Sequence, residues 1–262
     1  MELAGYIASL FIGISLGLIG GGGSILTVPV LVYLFGVSPL VATSYSLFIV
    51  GSTSVVGTFN NYRKGFVDVR TALMFGVFSV ITVFLTRRFI IPLIPADIPI
   101  GGGSISFSVL TMVLFAILML LASVSMIRGR KEKTVKAEGR GILPLIAYGV
   151  AIGLITGFLG AGGGFLLIPA LVMLLGLPMK KAVGTSLFII AINSTIGFIA
   201  DSGQYNIEWP LLLTVSAIAV AGIFIGGMLS KKIAGDKLRK LFGWFVLLMG
   251  LFIIIRETLA FR

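Results

Sequence analysis

Gly17-Leu18-Ile19-Gly20-Gly21-Gly22-Gly23-Ser24-Ile25-Leu26-Thr27-Val28-Pro29 returns in the same chain as Gly157-Phe158-Leu159-Gly160-Ala161-Gly162-Gly163-Gly164-Phe165-Leu166-Leu167-Ile168-Pro169. The two copies lie inside apolar runs, Leu3 to Phe35 and Ile142 to Leu175, that exceed the roughly 20 residues of one bilayer crossing. They align without a gap at an offset of about 140 residues, and the match continues beyond the glycines. Val32 falls on Val172, Gly36 on Gly176, Ser46-Leu47-Phe48-Ile49 on Ser186-Leu187-Phe188-Ile189, Ser54 on Ser194 and Gly57 on Gly197. Glycine, proline and serine kept in step mark an internal repeat rather than a shared apolar composition. A helix break duplicated in two halves of a membrane chain points to the binding site of a transporter.

The rest of the chain has the composition this reading needs. It is 58% hydrophobic and 11% charged, outside the range of soluble globular domains. Six further apolar runs complete the set: Leu40 to Phe59, Thr71 to Ile91, Phe107 to Ile127, Ala182 to Ala200, Trp209 to Leu229 and Phe242 to Ala260. The eight hydropathy segments predict an all-α, polytopic membrane protein. Met1-Glu2-Leu3 offers no basic n-region, so the first segment is expected to stay in the mature chain. With no Cys and no His, disulfides, thiol chemistry, zinc and haem ligation and histidine proton relays are excluded, and no cofactor or metal is expected. The net charge of +11 resides in loops between spans, which suits anionic lipid rather than nucleic acid.

Loop charge also orients the chain. Eight plain crossings would divide Lys and Arg almost evenly between the two faces. If the two glycine-broken runs are instead re-entrant hairpins, one face gathers Arg63, Lys64, Arg70, the linker cations from Arg128 to Arg140, Lys180, Lys181 and the cations from Lys231 to Lys240. The other keeps Arg87, Arg88, Arg256 and Arg262, an imbalance of about four to one that the positive-inside rule reads as cytoplasm against exterior. Each half is then one hairpin plus three transmembrane helices, an odd number of crossings, so the halves are inverted repeats. The expected organisation is a first membrane repeat (1–127), a basic cytoplasmic linker (128–141) and a second membrane repeat (142–262). Pro92 to Ser104, rich in proline and glycine, is expected to be an irregular exterior loop.

Consecutive glycines at membrane depth need a protein or aqueous lining for their amides. Pro29 and Pro169, tolerated in a first helical turn, predict that each returning half-helix starts near Thr27-Val28 and Leu167-Ile168. Two such N-termini, each carrying about half a positive charge, would face one another as an anion site built from backbone. Gly13, Gly17, Gly153 and Gly157 instead fit a small-xxx-small pattern for close helix packing. The expected substrate-binding residues are Gly22, Gly23, Ser24, Ser46, Ser54, Gly162, Gly163, Gly164, Ser186, Asn193 and Ser194. Ser46, Ser54, Ser186, Ser194 and Asn193 enter because the repeat places them symmetrically, and Asn193 also because its amide has four hydrogen-bonding positions to satisfy. Asp68 and Glu208 read as helix N-terminal acids, and no carboxylate lies deep in a span, so no buried proton relay is expected.

These features resemble the sulfite exporter TauE/SafE family, the toluenesulfonate uptake permeases. The likeness rests on the paired glycine blocks ending in Pro29 and Pro169, the segments Ala42-Thr43-Ser44 and Val183-Gly184-Thr185-Ser186, the basic central linker and the short length. It implies a multi-pass permease of the plasma (inner) membrane that moves sulfur-containing anions such as sulfite or organosulfonates. The expected partners are a small anionic substrate and the lipid bilayer, with no nucleic acid and with oligomeric state open. A passive anion channel with a backbone-amide filter is the alternative. An enzyme is not expected, since the spans lack a nucleophile or general base with a poised partner.

Overall fold

The computed structural model describes residues 2–21, 23–100, 103–128, 142–229 and 235–260. Gly22, the linker from 129 to 141, Lys231, Lys232 and Arg262 lie outside the described residues. In chain order the helices are α1 (Glu2–Ile19), α2 (Ser24–Phe35), α3 (Pro39–Arg63), α4 (Val69–Leu85), α5 (Ile91–Leu93), α6 (Phe107–Arg128), α7 (Ile142–Leu159), α8 (Gly164–Leu175), α9 (Met179–Ala200), α10 (Trp209–Leu229) and α11 (Gly235–Ala260). A π-helical turn, Thr86–Ile90, joins α4 to α5. Among the described residues, five helical stretches are long and apolar enough to cross a membrane: Pro39–Arg63, Val69–Leu93, Phe107–Arg128, Met179–Ala200 and Trp209–Leu229. The protein is therefore an all-α polytopic membrane protein.

Both glycine blocks break their apolar runs. In the first, α1 and α2 fold back as an antiparallel pair, because Tyr6 near the start of α1 stacks edge-on against Phe35 at the end of α2, with centroids 5.3 Å apart. Gly36 ends α2 and Gly176 ends α8 in the left-handed conformation, where glycine avoids the Cβ penalty.

The position of the prolines differs from expectation. The returning helices begin at Ser24 and Gly164, one turn earlier than predicted, and Pro29 and Pro169 lie inside them. The reason is that the amides of Leu26 and Leu166 already bond the carbonyls of Gly23 and Gly163, at 3.1 and 3.0 Å. A proline one turn further on then costs a single helical bond at a short helix's start.

α3 and α9 form the centre. About two thirds of their membrane windows are buried, 67% and 61%, against 33–39% for α4, α6 and α10. The polar residues of the spans therefore cluster where lipid cannot reach, whereas Leu73, Val77 and Ile81 of α4 and Leu110, Leu114 and Leu121 of α6 stay exposed as a hydrocarbon-facing belt.

Contacts between the two halves come in exchanged pairs related by the repeat offset. α1 packs on α10 and α7 packs on α4, while α3 packs on α9 and α6 on α11. Gly13 meets the backbone of Ala219, and Gly153, its equivalent, meets the backbone of Ser79. Gly17 meets Ile223 and Gly226, and Gly157 meets Thr86. A Cβ at any of these four glycines would collide with the neighbouring helix, as the close-packing reading of them requires.

Two further expectations are corrected. The stretch after Pro92 is not irregular throughout: Asp97–Ile100 and Gly103–Ser106 pair as an antiparallel ribbon, with Ile98 opposite Ile105. Pro99 is tolerated because a two-stranded ribbon has a free edge on either side. Arg87 is not a loop residue but lies fully buried within the π-helical turn.

Candidate functional site

The two glycine breaks meet each other. A Cβ on Gly21 would lie 2.7 Å from the Cα of Gly164, and one on Gly164 would lie 2.5 Å from the Cα of Gly21. Gly20, Gly160, Gly162 and Gly163 have positive φ, between 64° and 77°, so the turns themselves demand glycine. Gly23 does not: its φ is −66°, and glycine is required there because a side chain would strike Ser15 and the Ile12 carbonyl at 2.5 Å.

Each apex is held by a serine from the other half. The Ser46 hydroxyl of α3 donates to the Gly160 carbonyl at 2.8 Å, and the Ser186 hydroxyl of α9 donates to the Gly20 carbonyl at 3.1 Å and to its own Val183 carbonyl at 2.8 Å. Ser24 is occupied locally, donating to the Gly21 carbonyl at 2.8 Å. These three hydroxyls fix the shape of the apices.

The remaining expected residues keep hydrogen-bonding capacity in hand. Ser54 and Ser194 are fully buried with no hydrogen-bond partner, although a buried hydroxyl is normally satisfied. Asn193 donates its amide to Ser79 at 2.7 Å and leaves its carbonyl oxygen unpartnered. Ser194 lies at the second apex, 3.4 Å from where a Gly162 Cβ would stand. Thr156, which sequence reasoning passed over, has an unpartnered buried hydroxyl that packs where a Gly163 side chain would begin. The N-terminus of α8 thus adjoins the neutral hydroxyls of Ser194 and Thr156. Such a constellation can bind a small anion without an opposing carboxylate.

A charged group stands one residue from this apex. Arg87 Nη1 bonds Asp201 Oδ2 at 2.9 Å and Thr43 Oγ1 at 3.1 Å, and both charged side chains are at most 2% exposed. Thr43 is the residue whose backbone lies against Gly160. Burial pushes the Asp201 carboxyl, just past the end of α9, above its ordinary value, while the Arg87 guanidinium pulls it down. Gln204 donates to the Ala200 carbonyl at 3.1 Å and reaches the Arg87 carbonyl at 3.5 Å. Gln204 also lines an open depression of about 510 Å³, together with Arg88, Tyr205, Leu40 and Phe107. A usable signal was present in sequence: Arg87 sits inside the apolar run Thr71 to Ile91, and an ionisable residue within a span is functional by default.

At the other side of the repeat, Asp68 caps α4 by accepting from the Thr71 amide at 3.0 Å, as an N-terminal acid should. The Asp68 amide donates to Thr185 Oγ1 at 3.0 Å, and the Glu208 amide donates to the equivalent Tyr45 hydroxyl at 2.6 Å.

Comparison with known proteins finds membrane transporters. A probable membrane transporter protein of Xylella fastidiosa (strain 9a5c) is 28% identical over 256 residues, covering 94% of this chain and 92% of its own. The probable membrane transporter protein YunE of Bacillus subtilis is 29% identical, covering 87% and 86%. A probable membrane transporter protein of the archaeon Methanocaldococcus jannaschii is 25% identical, covering 95% and 94%. No solved structure matches the chain. The family model described as sulfite exporter TauE/SafE matches residues 6–253, nearly the whole length, and the protein belongs to that family of membrane transporters.

Proposed function

We propose that the protein is a permease for a small sulfur-containing anion, sulfite or an organosulfonate, working in the plasma membrane by alternating access. The observation that carries this reading is the meeting of the two glycine apices between α3 and α9, each pinned by a serine of the opposite half. The substrate would sit at the N-termini of α2 and α8, against Ser54, Ser194 and the free oxygen of Asn193. Residues 1–127 and 142–262 would be inverted repeats joined by a basic cytoplasmic linker, which accounts for the exchange of contacts between α1·α10 and α7·α4. Rocking of one half against the other would then open the shared apex to either face in turn.

Uptake of labelled sulfite and of labelled methanesulfonate into proteoliposomes tests this. A permease gives a rate that saturates with concentration. An ohmic current in planar bilayers, without saturation, would instead favour the channel alternative.

A further inference from the structure

We propose that Arg87 is an anion-docking residue on the pathway, and that Asp201 occupies it as a displaceable stand-in for the transported anion. The inference rests on the permease reading and adds to the backbone site one ionised side chain that recognises the substrate.

The pair is held by one hydrogen bond rather than by a bidentate clamp. A guanidinium has five N–H donors in a planar fork, and its strongest complexes with oxyanions are bidentate. Arg87 uses Nη1 alone, divided between Asp201 and Thr43. Its Nε and Nη2 are buried without a partner, and the second oxygen of Asp201 makes no hydrogen bond, although the Ser44 hydroxyl stands near the carboxylate. Donors and acceptors are therefore left over on both partners, in a place where unsatisfied groups are costly. A tetrahedral or pyramidal oxyanion placed on the Nε/Nη2 edge would satisfy both free donors at once, as a phosphate or carboxylate does.

The repeat argues that the fold does not need this pair. At an offset of 140 residues, Arg87 corresponds to Gly227, Asp201 to Asn61 and Thr43 to Val183. Surrounding contacts are kept, since Thr43 lies against Gly160 as Val183 lies against Gly20. The equivalent positions, Gly227 and Asn61, thus carry neither charge. The pair therefore has no counterpart across the repeat.

Its location supplies the use. Arg88 and Gln204 line the open depression, Gln204 touches the Arg87 backbone, and Thr43 joins Arg87 to the apex at Gly160. Arg87 itself is buried behind that lining, so an anion entering by the depression would pass Gln204 to reach it, and Thr43 beyond it leads to the apex. The π-helical turn bearing Arg87 is itself a device found often at functional sites. Binding would proceed by exchange: the anion takes the guanidinium, and Asp201 is released toward Ser44, whose hydroxyl already stands beside it.

The test compares the wild-type protein with Arg87→Gln, Arg87→Lys and Asp201→Asn in detergent, following thermal unfolding with sodium sulfite, sodium methanesulfonate or, as a bulky control, sodium gluconate at equal ionic strength. Asp201→Asn should unfold at a lower temperature without anion, because the buried Arg87 loses its counter-charge, and sulfite or methanesulfonate should restore it, with an apparent Kd at least about tenfold tighter than wild type. Arg87→Gln should be destabilised too but gain nothing from either anion, and Arg87→Lys should retain a weakened response. Arg63→Gln, which removes an equal charge from the far end of α3, should respond as wild type. If Asp201→Asn can be isolated only in the presence of sulfite, that rescue supports the proposal. A structural clamp would make both variants less stable with neither rescued, and that outcome overturns it, as does equal rescue by gluconate. Wild-type protein that neither binds nor takes up sulfite or methanesulfonate would overturn the permease reading and this inference together. Normal wild-type binding with Asp201→Asn and Arg87→Gln shifted alike would overturn the inference alone.

Discussion

The hydroxyl of Ser46 reaches the backbone carbonyl of Gly160 across 2.8 Å, tying a long central helix of one half to the glycine turn of the other. Ser186 does the same for Gly20, but at 3.1 Å and with its own Val183 carbonyl as a second acceptor. Ser46→Ala should therefore cost more than Ser186→Ala. About 1–3 kcal/mol is expected where a buried carbonyl loses its only donor among the described residues, and less where the hydroxyl was shared. Thermal unfolding of the two variants gives the order, and a larger loss for Ser186→Ala would contradict it.

The apical glycines are constrained twice, by φ and by space. Gly162 has φ of 64°, and a Cβ there would lie 2.8 Å from Val50 Cγ1 and 3.0 Å from Ile190 Cγ2. Gly203 also has positive φ, 81°, but nothing lies within 4 Å of its Cβ position. Gly203→Ala should lose only the left-handed strain, about 1–2 kcal/mol, and keep transport. Gly162→Val, like Val at Gly163 or Gly23, should abolish uptake while the protein still inserts. Wild-type uptake by two of these three would show that the apex is not the binding site.

Charge at the apex should be unforgiving. Asn193→Asp or Ser194→Asp would set a carboxylate against the transported anion, and at an effective dielectric of about 20 the repulsion amounts to several kcal/mol at contact distance. Uptake should collapse. Asn193→Ala removes the 2.7 Å bond to Ser79, a loss of roughly 1 kcal/mol, and should keep measurable activity. Aspartate variants as active as wild type would place Asn193 and Ser194 off the pathway.

Inversion can be read from one pair of equivalent positions. Tyr62 and Ser202 are 140 residues apart in sequence, and both are exposed at the ends of central helices. The chain contains no cysteine, so Tyr62→Cys and Ser202→Cys are single-thiol proteins without further change. An impermeant thiol reagent on intact cells should label Ser202→Cys and spare Tyr62→Cys. Labelling of both would refute inverted repeats.

How much of this was legible in the sequence depended on the kind of residue involved. Gly20 and Gly160, or Ser46 and Ser186, announce themselves because a repeat preserves only what both copies require, and both copies require the same turn and the same anchor. Arg87 and Asp201 escaped notice for the converse reason: the repeat has no charge at Gly227 or Asn61, so comparing halves could not pick them out. Loop charge then assigned Arg87 to a surface, although the helix continues through the π turn and carries it inside. The prolines were misplaced because a missing amide is tolerable a turn beyond the helix start, where sequence rules put it only at the first turn. The ribbon after Pro92 was invisible because its glycines and prolines read as turn signals, while the pairing of Ile98 with Ile105 depends on their meeting in space.

The docking of α1 on α10 and of α7 on α4 has a consequence for biogenesis. During synthesis α1 enters the membrane with the helix it packs on, α10, still untranslated some 200 residues away, and must wait for its partner. Long-range pairing of this kind slows folding and exposes early segments to quality control. On these contacts neither half should be a self-sufficient unit. Residues 1–128 expressed alone should be degraded, and co-expression with residues 142–262 should rescue both fragments. What the polypeptide connects is, in its contacts, a dimer whose subunits exchanged their first arms before they were joined.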